Sequence, residues 1–216
     1  MKKTSIEIDI YSDPICPWCY IGLKRFQKAQ ALRPNFDVKT RWLPFQLNPE
    51  MPEEGMDRQT YLDKKFGGRA NATQFYSQIS AAGITDGIDF EFNQIKKTPN
   101  TVDAHRLSLL AREQDKQDAV MERLFESYFL EGKNIGDRDV LLNIAIETGL
   151  TEAEAYLNSD LGHEDVLFTD QNARSLGLTG VPCFIVNRQH ILPGAQSPDT
   201  LAQMLDIGFQ QLSEEK

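Results

Sequence analysis

Two of the three cysteines in this 216-residue chain, Cys16 and Cys19, flank a Pro-Trp pair in the stretch SDPICPWCY. Thiols three residues apart can exchange disulfides, supply half of a metal site, or pack as small apolar groups. For the first of these, one thiol must be an accessible thiolate and the other must follow one helical turn later on the same side, ready to attack a mixed disulfide. A zinc site would need two more ligands. Cys183 with one of His105, His163 or His190 could supply them, but the sequence has no second CxxC and no paired histidines.

The setting of the pair favours redox chemistry. SIEIDIY, just before it, alternates isoleucine with polar residues at a period of two, as a strand does, and IGLKRFQKAQALR after it has helical apolar spacing. Cys16 then falls at the first turn of a helix, where free N–H groups and the positive end of the dipole favour an anion. CxxC thiols so placed have pKa values of about 3.5 to 7.5, against about 8.5 for a free cysteine. Cys16 is therefore read as the exposed attacking thiol and Cys19 as the deeper, resolving one. FDVKTRWLPFQL, with Val38, Trp42 and Leu43, completes a β-α-β unit.

From MDRQTYLDKKFGG to SLGL nearly every apolar group follows helical spacing, as in Val120, Leu124, Phe125, Tyr128 and Phe129. Asp137 is a helix N-cap with Gly149 closing that helix, and Thr151 with Glu154 has the spacing of a capping box. NPEMPEEGM is the hinge into this helical segment. CFIV and HILPG then read as two short strands around NRQ, followed by a helix capped by Ser197 with Pro198 first. The sum is an α/β chain: a thioredoxin-like fold with an inserted α-helical lobe. The sheet domain takes residues 1–50 and 170–216, and the insertion takes 51–169.

In such a fold, TGVPCF carries information. Pro182 stands just before a strand, where a proline implies a cis bond or a sharp turn. A cis-proline loop faces the cysteines in thioredoxin-like folds, so Val181 would offer backbone groups to an extended substrate while Pro182 shields the sulfurs. Cys183, opening an apolar strand, is a small buried hydrophobe. Pro17 and Trp18 form the spacer, and Trp18 either holds apolar substrates or covers the helix start. Asp9 and Asp13 are near the motif but read as ordinary carboxylates, and His105 is a candidate for lining the cleft between lobes.

Composition narrows the partners. A formal net charge of −9, with no dense basic run, opposes the phosphate backbone of nucleic acid. No apolar run approaches the roughly 20 residues of a membrane span, and MKKTSIEIDIYSD lacks the apolar core of a signal peptide. The expected location is cytoplasmic.

DPICPWCYIG, RWLPFQLNPEMPEEG, NTVDAHRL, TGVPCF and LPGAQSPDTL together resemble the FrnE-like branch of the DsbA family along the whole chain. That resemblance implies cytoplasmic thiol–disulfide oxidoreductase activity, with Cys16 and Cys19 as the pair and Pro182 as the cis-proline. The sequence departs from the family in having Cys183 where an aromatic residue or threonine is commoner. The wider family is similar to the kappa-class glutathione transferases and 2-hydroxychromene-2-carboxylate isomerases, which commonly have serine where Cys16 stands; there Asn100, Val181 and Pro182 match glutathione-site positions. The expected function is dithiol–disulfide exchange with protein or low-molecular-weight disulfides. It needs no metal or organic cofactor, and glutathione is a candidate co-substrate. A glutathione-dependent isomerase or transferase acting on aromatic compounds is the alternative.

Overall fold

The structure is a computed structural model that describes residues 5–214. Its elements are β1 (Ile6–Ser12), α1 (Pro17–Ala31), β2 (Val38–Pro44), β3 (Met56–Asp57), α2 (Arg58–Phe66), α3 (Arg69–Thr85), β4 (Lys97–Thr98), α4 (Val102–Glu113) and α5 (Gln117–Phe129). There follow α6 (Arg138–Glu147), α7 (Ala153–Leu157), α8 (His163–Ser175), β5 (Cys183–Val186), β6 (His190–Pro193) and α9 (Pro198–Glu214). The main sheet has the order β2-β1-β5-β6. β1 pairs parallel to β2, with Ile6 opposite Val38, and antiparallel to β5, with Tyr11 opposite Cys183. This is the thioredoxin-like fold with its helical lobe.

As a central strand, β1 is covered on both faces. Ile6, Ile8 and Ile10 are fully buried in the main core, which α1 and α9 share. The alternating polar positions do not all face water: the Asp9 carboxylate takes a two-pronged ion pair from Arg41 at 2.6 and 2.7 Å. Tyr11 packs with Phe45, Ala173 and Cys183 in a second small apolar cluster. Such enclosure on both faces rigidifies the strand that leads into the cysteines.

α1 is held from three directions. The Tyr20 ring stacks on Phe125 at 5.2 Å and meets Phe90 edge-on, which joins the cysteine helix to the lobe. Arg25 and Lys28 both donate to Asp86 at 2.7 Å, and Arg25 also donates to the Ala195 carbonyl at 2.6 Å. Asp86 is mostly covered, and its two cations outweigh burial and hold its carboxyl below the usual range.

Most helix punctuation matches the sequence. Asp137 accepts from the N–H groups of Asp139 and Val140, Gly149 has φ 65°, and the Ser197 hydroxyl accepts from Thr200 N–H at 3.2 Å. The Thr151–Glu154 capping box does not form. α7 starts only at Ala153, after Glu152 at φ 62°, and both the Thr151 N–H and its hydroxyl donate instead to Gln114 Oε1 at 3.0 Å. A partner 37 positions away outcompetes the local cap. The two-residue strands β3 and β4, which pair antiparallel across the base of α2, carry too little pattern to be read from sequence.

Candidate active site

Past Ser12 the chain turns on Asp13. Its carboxylate accepts from Ile15 N–H at 3.1 Å and Leu47 N–H at 2.7 Å, while its backbone carbonyl accepts from Cys16 N–H at 2.9 Å. Cys16 is the N-cap residue of α1 and Pro17 the first residue inside, an arrangement that leaves no N–H wasted at the first position. Cys19 N–H donates to the Cys16 carbonyl at 3.0 Å, and the two thiols hydrogen-bond to one another. Both are free thiols.

The distant loop arrives as expected. The Val181–Pro182 peptide is cis, and the Cys16 thiol donates to the Val181 carbonyl at 3.5 Å. Gly22, on the inner face of α1, makes room for this approach, since a Cβ there would come within 3.0 Å of Pro182 Cγ. Cys16, Cys19, Val181 and Pro182 thus form one site, with Pro17 and Trp18 half-buried at its rim. One expectation is corrected. Cys16 is only 3% exposed because the Val181 loop and the apolar core close over it.

Two predicted residues, Asn100 and His105, lie elsewhere, while Cys183 is the buried hydrophobe expected. Asn100 donates to the Met51 carbonyl at 2.8 Å and accepts from Val102 N–H at 2.9 Å, and it lines a cavity of about 530 Å³ with Glu53, Glu54, Asp103, Arg138 and His163. His105 does not line a cleft. It is 2% exposed, bonded to the Phe45 carbonyl, because α4 is packed among α5, α7 and α8 and leaves that face of the helix no water. Cys183 is buried against Tyr11, and that burial pushes its thiol up. Among the described residues no cluster of three or more histidine, cysteine or acidic side chains is arranged to hold a metal.

The lobe adds residues that sequence spacing did not single out. Thr101 hydrogen-bonds the Asp13 carboxyl, and the Lys65 charge attracts it. Arg58 is buried with no carboxylate partner among the described residues; it donates to the hydroxyls of Thr98 at 3.1 Å and Tyr76 at 2.8 Å and lies over the Tyr61 and Tyr76 rings. Arg58 and Tyr76 thus form a cation–tyrosine cluster inside the lobe, where burial pushes the Tyr76 hydroxyl up. A regular period cannot reveal such residues, because they converge from α2, α3 and the loop before α4.

Burial splits two titrating groups. It pushes the Asp13 carboxyl up from 3.8 to about 7, against the Leu47 and Ile15 N–H groups, Lys65 and Thr101. It takes the His105 imidazole down from 6.5 to about 4, against the charge of Asp170 and the bond to Phe45. Asp13 therefore favours the fold fully below about pH 4, and this contribution is lost as pH rises to about 7. His105 favours the fold above about pH 6.5, and its contribution is lost as pH falls to about 4. In the wild-type protein the two slopes oppose one another. Relative to wild type, Asp13→Asn should gain stability as pH rises from 4 to 7 and His105→Gln should gain as it falls over the same range, with slopes approaching about 1.4 kcal/mol per pH unit. Urea unfolding across that range measures both, and parallel curves for all three proteins would refute the assignment.

A family model described as a DSBA-like thioredoxin domain matches residues 7–206. The Bacillus subtilis protein YwbO, itself uncharacterised, is 27% identical over an alignment of 207 residues that covers 93% of this chain and 96% of that one. The crystal structure of a probable DsbA oxidoreductase from Streptomyces coelicolor superposes with a TM-score of 0.82 at 28% identity, covering 95% of this chain and 90% of its own. The cytosolic disulfide reductase DsbM from Pseudomonas aeruginosa, solved with GSH, gives a TM-score of 0.65 at 20% identity, covering 94% of this chain and 99% of its own, a likeness of fold.

Proposed function

Because the chain belongs to the DSBA-like thioredoxin domain family, we propose that it carries out reversible dithiol–disulfide exchange with protein or low-molecular-weight disulfides, Cys16 attacking and Cys19 resolving. The observation that carries this reading is the meeting of the Cys16 thiol with the Val181 carbonyl beside Cys19. A disulfide lying along the loop before Pro182 would present a sulfur to Cys16 while its backbone pairs with Val181. The Cys16 thiolate forms a bond to that sulfur, the substrate's S–S bond breaks, and the departing thiolate takes up a proton. Cys19 then displaces the second substrate thiol and leaves a Cys16–Cys19 disulfide. No metal or organic cofactor enters the cycle.

The reading extends to a cytoplasmic setting, where a glutathione pool holds such a couple in its dithiol form and makes reductase or isomerase work its direction. It is supported by the name of the DsbM relative in fold, a cytosolic reductase. Among the described residues no helix is long and apolar enough to cross a membrane. Glutathione remains a co-substrate in this scheme. As for the aromatic isomerase alternative, the amide of Asn100 is held by one backbone bond at each end, with one N–H and one lone pair left for a ligand.

Equilibrating the protein with glutathione buffers of graded redox ratio, then trapping free thiols, tests the proposal. The expected result is a two-electron transition between dithiol and an intramolecular Cys16–Cys19 disulfide, whose midpoint identifies a reductase, an isomerase or an oxidant. A chain that forms no such disulfide at any ratio would not be an exchange enzyme.

A further inference from the structure

Resolution makes its heaviest demand on Cys19. This thiol is 1% exposed, and burial together with neighbouring Cys16 pushes it well above the ordinary cysteine range, yet it must become an anion to attack. Two groups act in the opposite direction, the Ser12 hydroxyl and the Asp13 backbone N–H. Ser12 is itself 1% exposed at the end of β1, and its side-chain oxygen has no hydrogen-bond partner in the dithiol form. In the β1–β2 register it stands opposite Pro44, whose side chain offers it nothing polar. A buried hydroxyl left unpaired is costly, and such exceptions call for a reason.

We propose that Ser12 is a catalytic residue of the resolving step, its hydroxyl donating to the Cys19 sulfur as that sulfur becomes a thiolate, with the Asp13 N–H as second donor. The inference rests on the dithiol-exchange reading above. The Cys19 S–H bond breaks, its sulfur bonds to Cys16 Sγ, and the bond from Cys16 to the substrate sulfur breaks. That sulfur leaves with the electron pair and takes up the proton that Cys19 gives up, so oxidation of two cysteines balances reduction of one substrate disulfide. The donor pair acts as an oxyanion hole does, placed in advance where charge develops and in a dry setting where it counts most. It also explains the unsatisfied hydroxyl, which already lies beside the Cys19 sulfur and completes its bond when that sulfur becomes a thiolate.

The test uses Ser12→Ala and the aromatic disulfide 5,5′-dithiobis(2-nitrobenzoate), which releases one coloured thiolate when Cys16 attacks and a second when Cys19 resolves the adduct. Acid-quenched samples are weighed by mass spectrometry to follow the intermediate. The expected outcome is a first release like that of wild type and a second slowed about tenfold to a hundredfold at pH 7, with its pH midpoint moved upward. Melting temperature should stay level or rise, because an unsatisfied buried oxygen is gone. A second release with the rate and pH profile of wild type would overturn the proposal. So would a variant that does not fold, or one that loses both phases together with thermal stability, since each makes the hydroxyl structural. Absence of both phases in the wild-type protein would instead remove the exchange reading itself.

Discussion

Replacing Cys16 by serine is expected to bring disulfide reduction down to the rate measured without protein. In an insulin-reduction assay with dithiothreitol the wild-type chain should accelerate turbidity and Cys16→Ser should not. The reason is chemical: a hydroxyl can neither act as a thiolate near neutral pH nor close a disulfide with Cys19. The fold should survive, because the substitution is close to isosteric and a serine hydroxyl can keep the bond to the Val181 carbonyl that the thiol now makes. Cys19→Ser should behave differently. It leaves the attacking sulfur in place and removes the exit, so one substrate thiol per chain should accumulate on Cys16 as a mixed disulfide visible by mass. Wild-type reduction by Cys16→Ser would remove Cys16 as the nucleophile, and a mixed disulfide that accumulates on Cys19 of Cys16→Ser but not on Cys16 of Cys19→Ser would reverse the roles.

Changing Arg106 to methionine should lower the unfolding free energy by about 3–5 kcal/mol, the range for removing one member of a buried charged network. Arg106 is nearly covered, and its guanidinium donates to the Leu161 carbonyl at 2.8 Å, the Tyr156 carbonyl at 2.9 Å and the Ser159 carbonyl. It also pairs with Asp103 at 2.7 Å and lies over the Tyr156 ring. One planar fork thus closes the chain between α7 and α8. Lysine, with a single ammonium, cannot span those acceptors, so Arg106→Lys should recover little. For a chain of this size the loss corresponds to a melting temperature lower by about 6–20 °C. The site would feel it, because α8 carries Asp170, which accepts from Gln46 N–H at 2.8 Å and so fixes the segment next to Leu47 and Asp13. A fall of less than about 1 kcal/mol would mean that water replaces the guanidinium.

How much of this could be read from the chain depends on whether the signal is local. The isoleucines of β1, the CxxC at a helix start, the caps at Asp137 and Ser197 and the proline at 182 are each encoded within a few residues, and each appears in the structure. The meeting of Cys16 with Val181 spans 165 positions, but the fold class carries it, since a thioredoxin-like sheet brings those two loops together. What escaped was decided by partners remote in sequence. Thr151 chose Gln114 over its own helix, and His105 was enclosed by neighbouring helices rather than left on a cleft. Arg58 found three hydroxyls from separate elements. Ser12 gave no signal of its own beyond closing the strand before the dithiol; only the placement of the Cys19 sulfur makes it informative.

The cover over Cys16 has a kinetic consequence. A sulfur that presents almost none of its surface to solvent is a small target for random collision, so free alkylating reagents, which do not pair with the Val181 loop as a disulfide substrate does, should meet it rarely. Presentation, rather than concentration, then sets the pace. The nucleophile is shielded from indiscriminate traffic and opens to a partner that displaces the Val181 carbonyl from it.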